Sequence, residues 1–257
     1  SVFTAISAFC NAGFDLFGRF GDYSSLVPYV NNYYVQAVIM FMIMAGGLGF
    51  MVWVELAEYR KKRRLSLHAK VVLQFSVIFW VGGAVLLALL EWSNPRTMGG
   101  LSVPGKIMAA LFQSVSTRTA GMNTIDLAAC SPISKLLMSV LQFIGAAPGS
   151  TGGGVKVTTF AVLILTIRSV AQGRDDCVIG GHHIESKTVY RALTIIVIGA
   201  VAAFGSAVVV YYNTAETVSV IDCIFESCSA FGTVGLSVGV TGQLNTGAKL
   251  LYMACMF

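Results

Sequence analysis

Three segments of this 257-residue chain place a phenylalanine four residues before a serine and then run into a glycine. They begin at Phe3, Phe112 and Phe225, pass through Ser7, Ser116 and Ser229, and close on Gly13, Gly121 and Gly235. The residues leading into the glycines are Asn11-Ala12-Gly13, Thr119-Ala120-Gly121 and Thr233-Val234-Gly235. No nucleophile–base pair and no metal-ligand cluster accompanies them, so the chemistry on offer belongs to the backbone. Carbonyl oxygens turned to one axis can replace the hydration shell of a cation. A glycine with φ > 0 permits that turn without a Cβ clash. These nine residues are therefore the candidate ion filter, with a cation held at their carbonyls only and no cofactor in this chain. The closing glycines lie 108 and 114 residues apart, so one supersecondary unit has been used several times. The second copy is one residue shorter and carries Arg118 just before its filter. A cation path disfavours that charge, so the guanidinium is expected to turn away and brace backbone carbonyls or a nearby acid.

The elements that position such segments are membrane spans. Hydrophobic residues make up 56% of the chain, charged residues only 11%, and mean hydropathy is +0.76; a soluble domain carries about 25% charged. Apolar stretches cover roughly 33–54, 71–90, 133–167, 192–210 and 248–257. The first four reach the ~20 residues that a spanning helix needs. The net charge of +5 comes from two loops, Arg60-Lys61-Lys62-Arg63-Arg64 with Lys70, and Arg168, Arg174, Lys187 and Arg191. Basic short loops stay cytoplasmic, which excludes a nucleic-acid role for these patches and puts all three glycine segments on the outer side. Non-helical backbone at membrane depth must be buried in protein or line water. The expected fold is thus all-α and integral to the bilayer, with repeated units of span, re-entrant pore helix and span around one pore. Cys10, Cys130, Cys177, Cys223, Cys228 and Cys255 read as small hydrophobes, and His182-His183 as a polar loop.

The stretch 133–168 is too long for one crossing. As a straight helix its 36 residues would reach ~54 Å, against a hydrocarbon core of ~30 Å. The excess falls at Gly145-Ala146-Ala147-Pro148-Gly149-Ser150-Thr151-Gly152-Gly153-Gly154-Val155-Lys156, where Pro and repeated Gly break the helix. A phosphate loop is excluded, because Val155 separates Gly154 from Lys156 and the flanks are spans. Residues 149–155 are expected to form a movable gate beneath the filter, with Gly149, Ser150, Thr151, Gly152, Gly153, Gly154 and Lys156 as its site residues. Lys156 either acts in that gate or snorkels to the cytoplasmic interface. Gly46-Gly47-Leu48-Gly49 is expected to serve close helix packing, with 33–58 as one tilted crossing.

These motifs, with Ser229-Ala230-Phe231-Gly232-Thr233-Val234-Gly235-Leu236, resemble in order those of the Trk/Ktr/HKT superfamily of potassium transporters, most closely its Ktr-type membrane subunits. The resemblance covers essentially the whole chain; Met122 stands where the family usually has Phe. It implies potassium uptake through a gated filter, with sodium as a further transported or activating ion; a cation-coupled (Na+ or H+) symporter is the rival. It implies four repeats arranged pseudo-fourfold around one pore. Of these, residues 1–58 would be the second, 59–168 the third with its broken inner span, and 169–257 the fourth, truncated in its last span. The first repeat and the last span's Arg would then lie outside this sequence, and the fragment alone would not close a pore. The implied partners are the lipid bilayer, a second copy in a homodimer and a cytoplasmic ring of nucleotide-binding regulatory subunits. The implied location is the plasma membrane, crossed several times.

Overall fold

The computed structural model describes residues 2–18, 25–173, 178–179, 182–214 and 218–256. Arg174, Cys177, Phe257 and the side chains of His182 and His183 lie outside the described residues. The helices are α1 (Val2–Phe9), α2 (Tyr33–Gly47), α3 (Phe50–Lys62), α4 (Leu67–Glu91), α5 (Val103–Ser116), α6 (Pro132–Phe143), α7 (Val157–Ala171), α8 (Ser186–Asn213), α9 (Val220–Phe231) and α10 (Thr246–Cys255). The departures from an all-α fold among the described residues are a two-residue antiparallel pair, Val178–Ile179 with His182–His183, and an isolated parallel bridge between Ile144 and Val155.

Polar side chains at the N-cap positions start most of these helices. Asn32, Ser66, Ser102, Ser131, Ser219 and Asn245 each accept a hydrogen bond from a backbone N–H of the first turn, satisfying donors that an apolar sequence leaves orphaned. The 25-residue α4 and the 28-residue α8 are long and apolar enough to cross a membrane. The short α1, α5 and α9 carry the three phenylalanine–serine segments and pack against longer helices: α1 on α2, α5 on α4 and α9 on α8. Phe112 and Phe225 are fully buried in that packing.

The segment 33–58 is not one tilted crossing. The chain turns by 98° between α2 and α3, at Gly49, whose φ is +84°. The cause is tertiary. The carbonyls of Gly46 and Gly47, released from the helix ladder, accept N–H bonds from Thr151 (3.5 Å) and Ala147 (3.1 Å), and Phe50 N–H donates to Gly149 O at 3.0 Å. Gly46 also serves close packing as expected, since a Cβ there would sit 1.8 Å from Phe9 O.

Buried carboxylates tie the ends of the helices together. Glu91, at the end of α4, accepts from Asn94 Nδ2, Thr97 Oγ1 and Ser131 N–H at 2.6–2.8 Å, which joins α4 to the start of α6. Lys135 of α6 pairs with Asp222 of α9 at 2.7 Å. Glu226 is 4% exposed and accepts from Ser237 Oγ, Val238 N–H, Val240 N–H and Thr241 Oγ1 at 2.5–3.1 Å, stapling the chain that follows Gly235. Glu226→Ala would leave four donors unmatched. It is expected to destabilise the protein by about 2–4 kcal/mol, read as a lower melting temperature of the purified full-length protein in detergent. A melting curve that coincides with the parent's would show that this staple carries no stability.

Candidate ion-conducting site

Each candidate filter segment is the continuation of a short helix that ends a few residues earlier: α1 before Asn11, α5 before Thr119 and α9 before Thr233. Gly13, Gly121 and Gly235 all have positive φ, at +72°, +75° and +87°. Two residues before each glycine the backbone is left-handed as well: Asn11 at +50°, Thr119 at +77° and Thr233 at +51°. The residues between, Ala12, Ala120 and Val234, are not in the positive-φ region. Alternating hand along a strand turns successive carbonyls to one side instead of to opposite sides. Left-handed backbone is strained for a β-branched residue and persists where the surroundings impose it; here it occurs at the same place in copies two and three.

The serine of each copy explains what imposes it. Ser7 Oγ donates to Phe14 O at 2.7 Å, Ser229 Oγ donates to Leu236 O at 2.7 Å, and Ser116 Oγ donates to Met122 O. In every copy the acceptor is the residue after the glycine, so the serine closes a loop around the filter segment. The serine carbonyl takes part too, accepting from Ala12 N–H (2.9 Å), Ala120 N–H (3.0 Å) and Val234 N–H (2.8 Å). The missing residue of copy two is absorbed at the end of α5, and the clasp survives.

The three segments meet. A Cβ built on Gly121 would lie 2.2 Å from Val234 O and 3.1 Å from Gly13 Cα; one on Gly13 would lie 3.0 Å from Ala120 O and 3.4 Å from Val234 O. Backbone from three distant stretches of sequence thus converges with carbonyl oxygens and no side chain between. The helix C-termini behind these segments add partial negative charge, which favours a cation.

The span 133–168 is interrupted where Pro and Gly cluster: α6 ends at Phe143 and α7 starts at Val157. The loop between folds back as a short parallel pairing, with Gly145 N–H donating to Val155 O (2.9 Å) and Val155 N–H to Phe143 O (3.1 Å). Its middle residues touch, in sequence order, the end of α1 and the second and third filter segments. Thr151 Oγ1 donates to Phe9 O at 3.2 Å. A Cβ on Gly152 would lie 2.1 Å from Thr119 Oγ1, and one on Gly153 2.2 Å from Thr233 Oγ1. Gly154, with φ +70°, passes against Gly232. Lys156 Nζ donates back to Gly152 O at 2.6 Å, within the loop. Ser150 Oγ donates to Ala147 O at 2.5 Å, while Gly149, at φ +68°, has open space around it.

The expectation for Arg118 also matches the geometry. It is buried, points away from the convergence and donates from Nη2 to Gly145 O at 2.8 Å. Sequence reasoning singled out the filter glycines but gave no role to the serines or to Gly145. A Cβ on Gly145 would lie 1.8 Å from Gly153 O, so only glycine lets the two arms of the loop approach this closely. The serines did carry a signal, since they recur four residues after Phe in all three copies.

The fold and site define an integral membrane protein in which repeated re-entrant helices deliver backbone to one point between spans. The family model for TrkH cation transport proteins matches residues 1–257, and the chain belongs to that family. It is 34% identical to Ktr system potassium uptake protein B of Bacillus subtilis over 257 residues, all of this chain and 56% of the relative. Identity is 37% to the protein of the same name from Vibrio alginolyticus, with 100% of this chain and 55% of the relative covered. It is 35% to the potassium/sodium uptake protein NtpJ of Enterococcus hirae, with 100% and 56% covered. The chain spans about half the length of these relatives. The crystal structure of the potassium transporter TrkH from Vibrio parahaemolyticus shares the fold, with a TM-score of 0.76 at 19% identity, covering 97% of this chain and 53% of that one.

Proposed function

We propose that this chain forms most of the wall of a potassium uptake pore, with Gly13, Gly121 and Gly235 and the two residues before each as its selectivity filter. Residues 149–155 with Lys156 are its gate. The observation that carries this reading is the convergence of three positive-φ glycines, each preceded by a second left-handed residue, with the carbonyls of Ala120 and Val234 at the meeting point. The relatives' names support potassium as the ion, and that of the Enterococcus protein supports sodium as a second one. The gate reading rests on the ordered contacts of Thr151 with the end of α1 and of Gly152 and Gly153 with the second and third filter segments. The protein acts in the plasma membrane as a homodimer on a cytoplasmic ring of nucleotide-binding regulatory subunits.

Passive conduction is favoured over proton-coupled symport by the state of the carboxylates. A proton-coupled symporter uses an acid beside the path that is free to exchange its partner. Glu91 and Glu226 are each occupied by at least three donors in structural staples. The test is growth rescue of a cell deficient in potassium uptake by the full-length protein, with rubidium and sodium uptake measured in parallel. Rubidium uptake is expected to exceed sodium uptake. The reverse order would sink the potassium assignment.

A further inference from the structure

Arg118 is 4% exposed, and the ion pairs found among the described residues, Lys62–Glu58 and Lys135–Asp222, leave it without a carboxylate. A buried charge is costly unless its surroundings compensate. Here two helix ends do so. Arg118 follows the C-terminus of α5 by two residues, and its hydrogen-bond acceptor, Gly145 O, follows the C-terminus of α6 by two. Each end presents partial negative charge. The guanidinium also sits 5.3 Å from the ring centre of Phe79 and 5.8 Å from that of Trp80, both on α4, a cation–π arrangement. Its Nε has no hydrogen-bond partner, and its Nη2 donates to Gly145 O.

Both ends of that bond are consequential. The residue after Arg118 is Thr119, left-handed and in contact with Gly152 of the loop. Gly145 packs on Gly153 and pairs with Val155. One side chain therefore joins the second filter segment, the outer span α4 and the point where the gate loop leaves α6.

We propose that Arg118 is a positioning residue that locks the second filter segment to the hinge of the gate loop, so that ion preference and gate opening are set through one contact. This rests on the gate reading above. The planar fork is what allows stacking on two rings while reaching the carbonyl, and lysine cannot reproduce it. The inference thus separates geometry from charge.

The test uses the full-length protein in potassium-uptake-deficient cells, with initial rubidium and sodium uptake normalised to membrane protein. The variants are Arg118→Gln, Arg118→Lys, deletion of 149–155, and the deletion combined with Arg118→Gln. Arg118→Gln is expected to raise the maximal rubidium rate about tenfold, the scale of a lost charge-assisted bond, and to lower the rubidium-to-sodium ratio. Arg118→Lys should raise the rate roughly threefold although the charge is kept. In the deletion background Arg118→Gln should add nothing to the rate, because contacts in one network do not add. A purely structural defect would lower uptake in both backgrounds. Parental behaviour of Arg118→Lys beside a raised Arg118→Gln would overturn the positioning role in favour of charge alone. Multiplying effects in the double variant would also overturn it. A raised rate on deletion with a parental Arg118→Gln sinks this inference and leaves the gate; a parental rate on deletion sinks the gate and this inference with it. If Arg118→Gln does not accumulate in the membrane, Arg118→Lys carries the same comparison.

Discussion

Replacing Gly121 by serine is expected to reduce the rubidium-over-sodium preference about tenfold while leaving measurable transport. The position has φ +75°, where an L side chain costs about 1–2 kcal/mol. Space is short too, since a Cβ would lie 2.2 Å from Val234 O. That neighbour is backbone, in a segment held by the Ser229 clasp, so it cannot swing aside as a flexible side chain would. The filter must widen at this level, and a shift of 1.4 kcal/mol between two ions is a factor of ten. Parallel rubidium and sodium uptake reads it directly. An unchanged ratio in a well-expressed variant would place Gly121 outside the filter.

Gly152→Ala is expected to act on the rate, raising maximal rubidium uptake by about an order of magnitude. The new Cβ would meet Thr119 Oγ1 at 2.1 Å and the Ala146 methyl at 2.7 Å. The loop then loses its seat against Thr119 of the second filter segment, while the bonds between Ser116 and Met122 that hold that segment do not involve the loop. A charge-assisted contact to the same residue, Lys156 Nζ to Gly152 O, is strained by the displacement, which adds to the release. Such a bond contributes about 1.5–3 kcal/mol, enough for the stated factor. A rate at or below the parent's, with the protein present in the membrane, would argue that the loop does not limit flux.

Much of the site was legible because it rests on local rules. Gly13, Gly121 and Gly235 were recognisable from recurrence and from the freedom of glycine at φ > 0, and all three have that conformation. The break between α6 and α7 was legible because Pro148 and the glycines around it cannot continue a helix that is also too long for a bilayer. The left-handed Asn11, Thr119 and Thr233 were not legible, because no propensity scale selects threonine for that region; the serine clasps and the neighbouring walls impose it. The bend at Gly49 was missed for a similar reason. Within 33–58 alone a single tilted helix is the cheaper reading, and only the N–H groups of Ala147 and Thr151, about a hundred residues away, make the broken ladder acceptable.

The sequence by itself determined a membrane-embedded chain with three re-entrant segments and one interrupted span. Those properties follow from apolar length, from the position of basic residues and from which residues tolerate φ > 0. Only the tertiary structure decided which backbone groups meet. It set Gly121 against Gly13 and Val234, ordered Thr151, Gly152 and Gly153 under three different segments, and aimed Arg118 at Gly145. The physical reason is range. Helix breaking and chain reversal are settled within a few residues, whereas these contacts join carbonyls and side chains far apart in sequence, whose pairing becomes favourable only once packing has already brought the helices together.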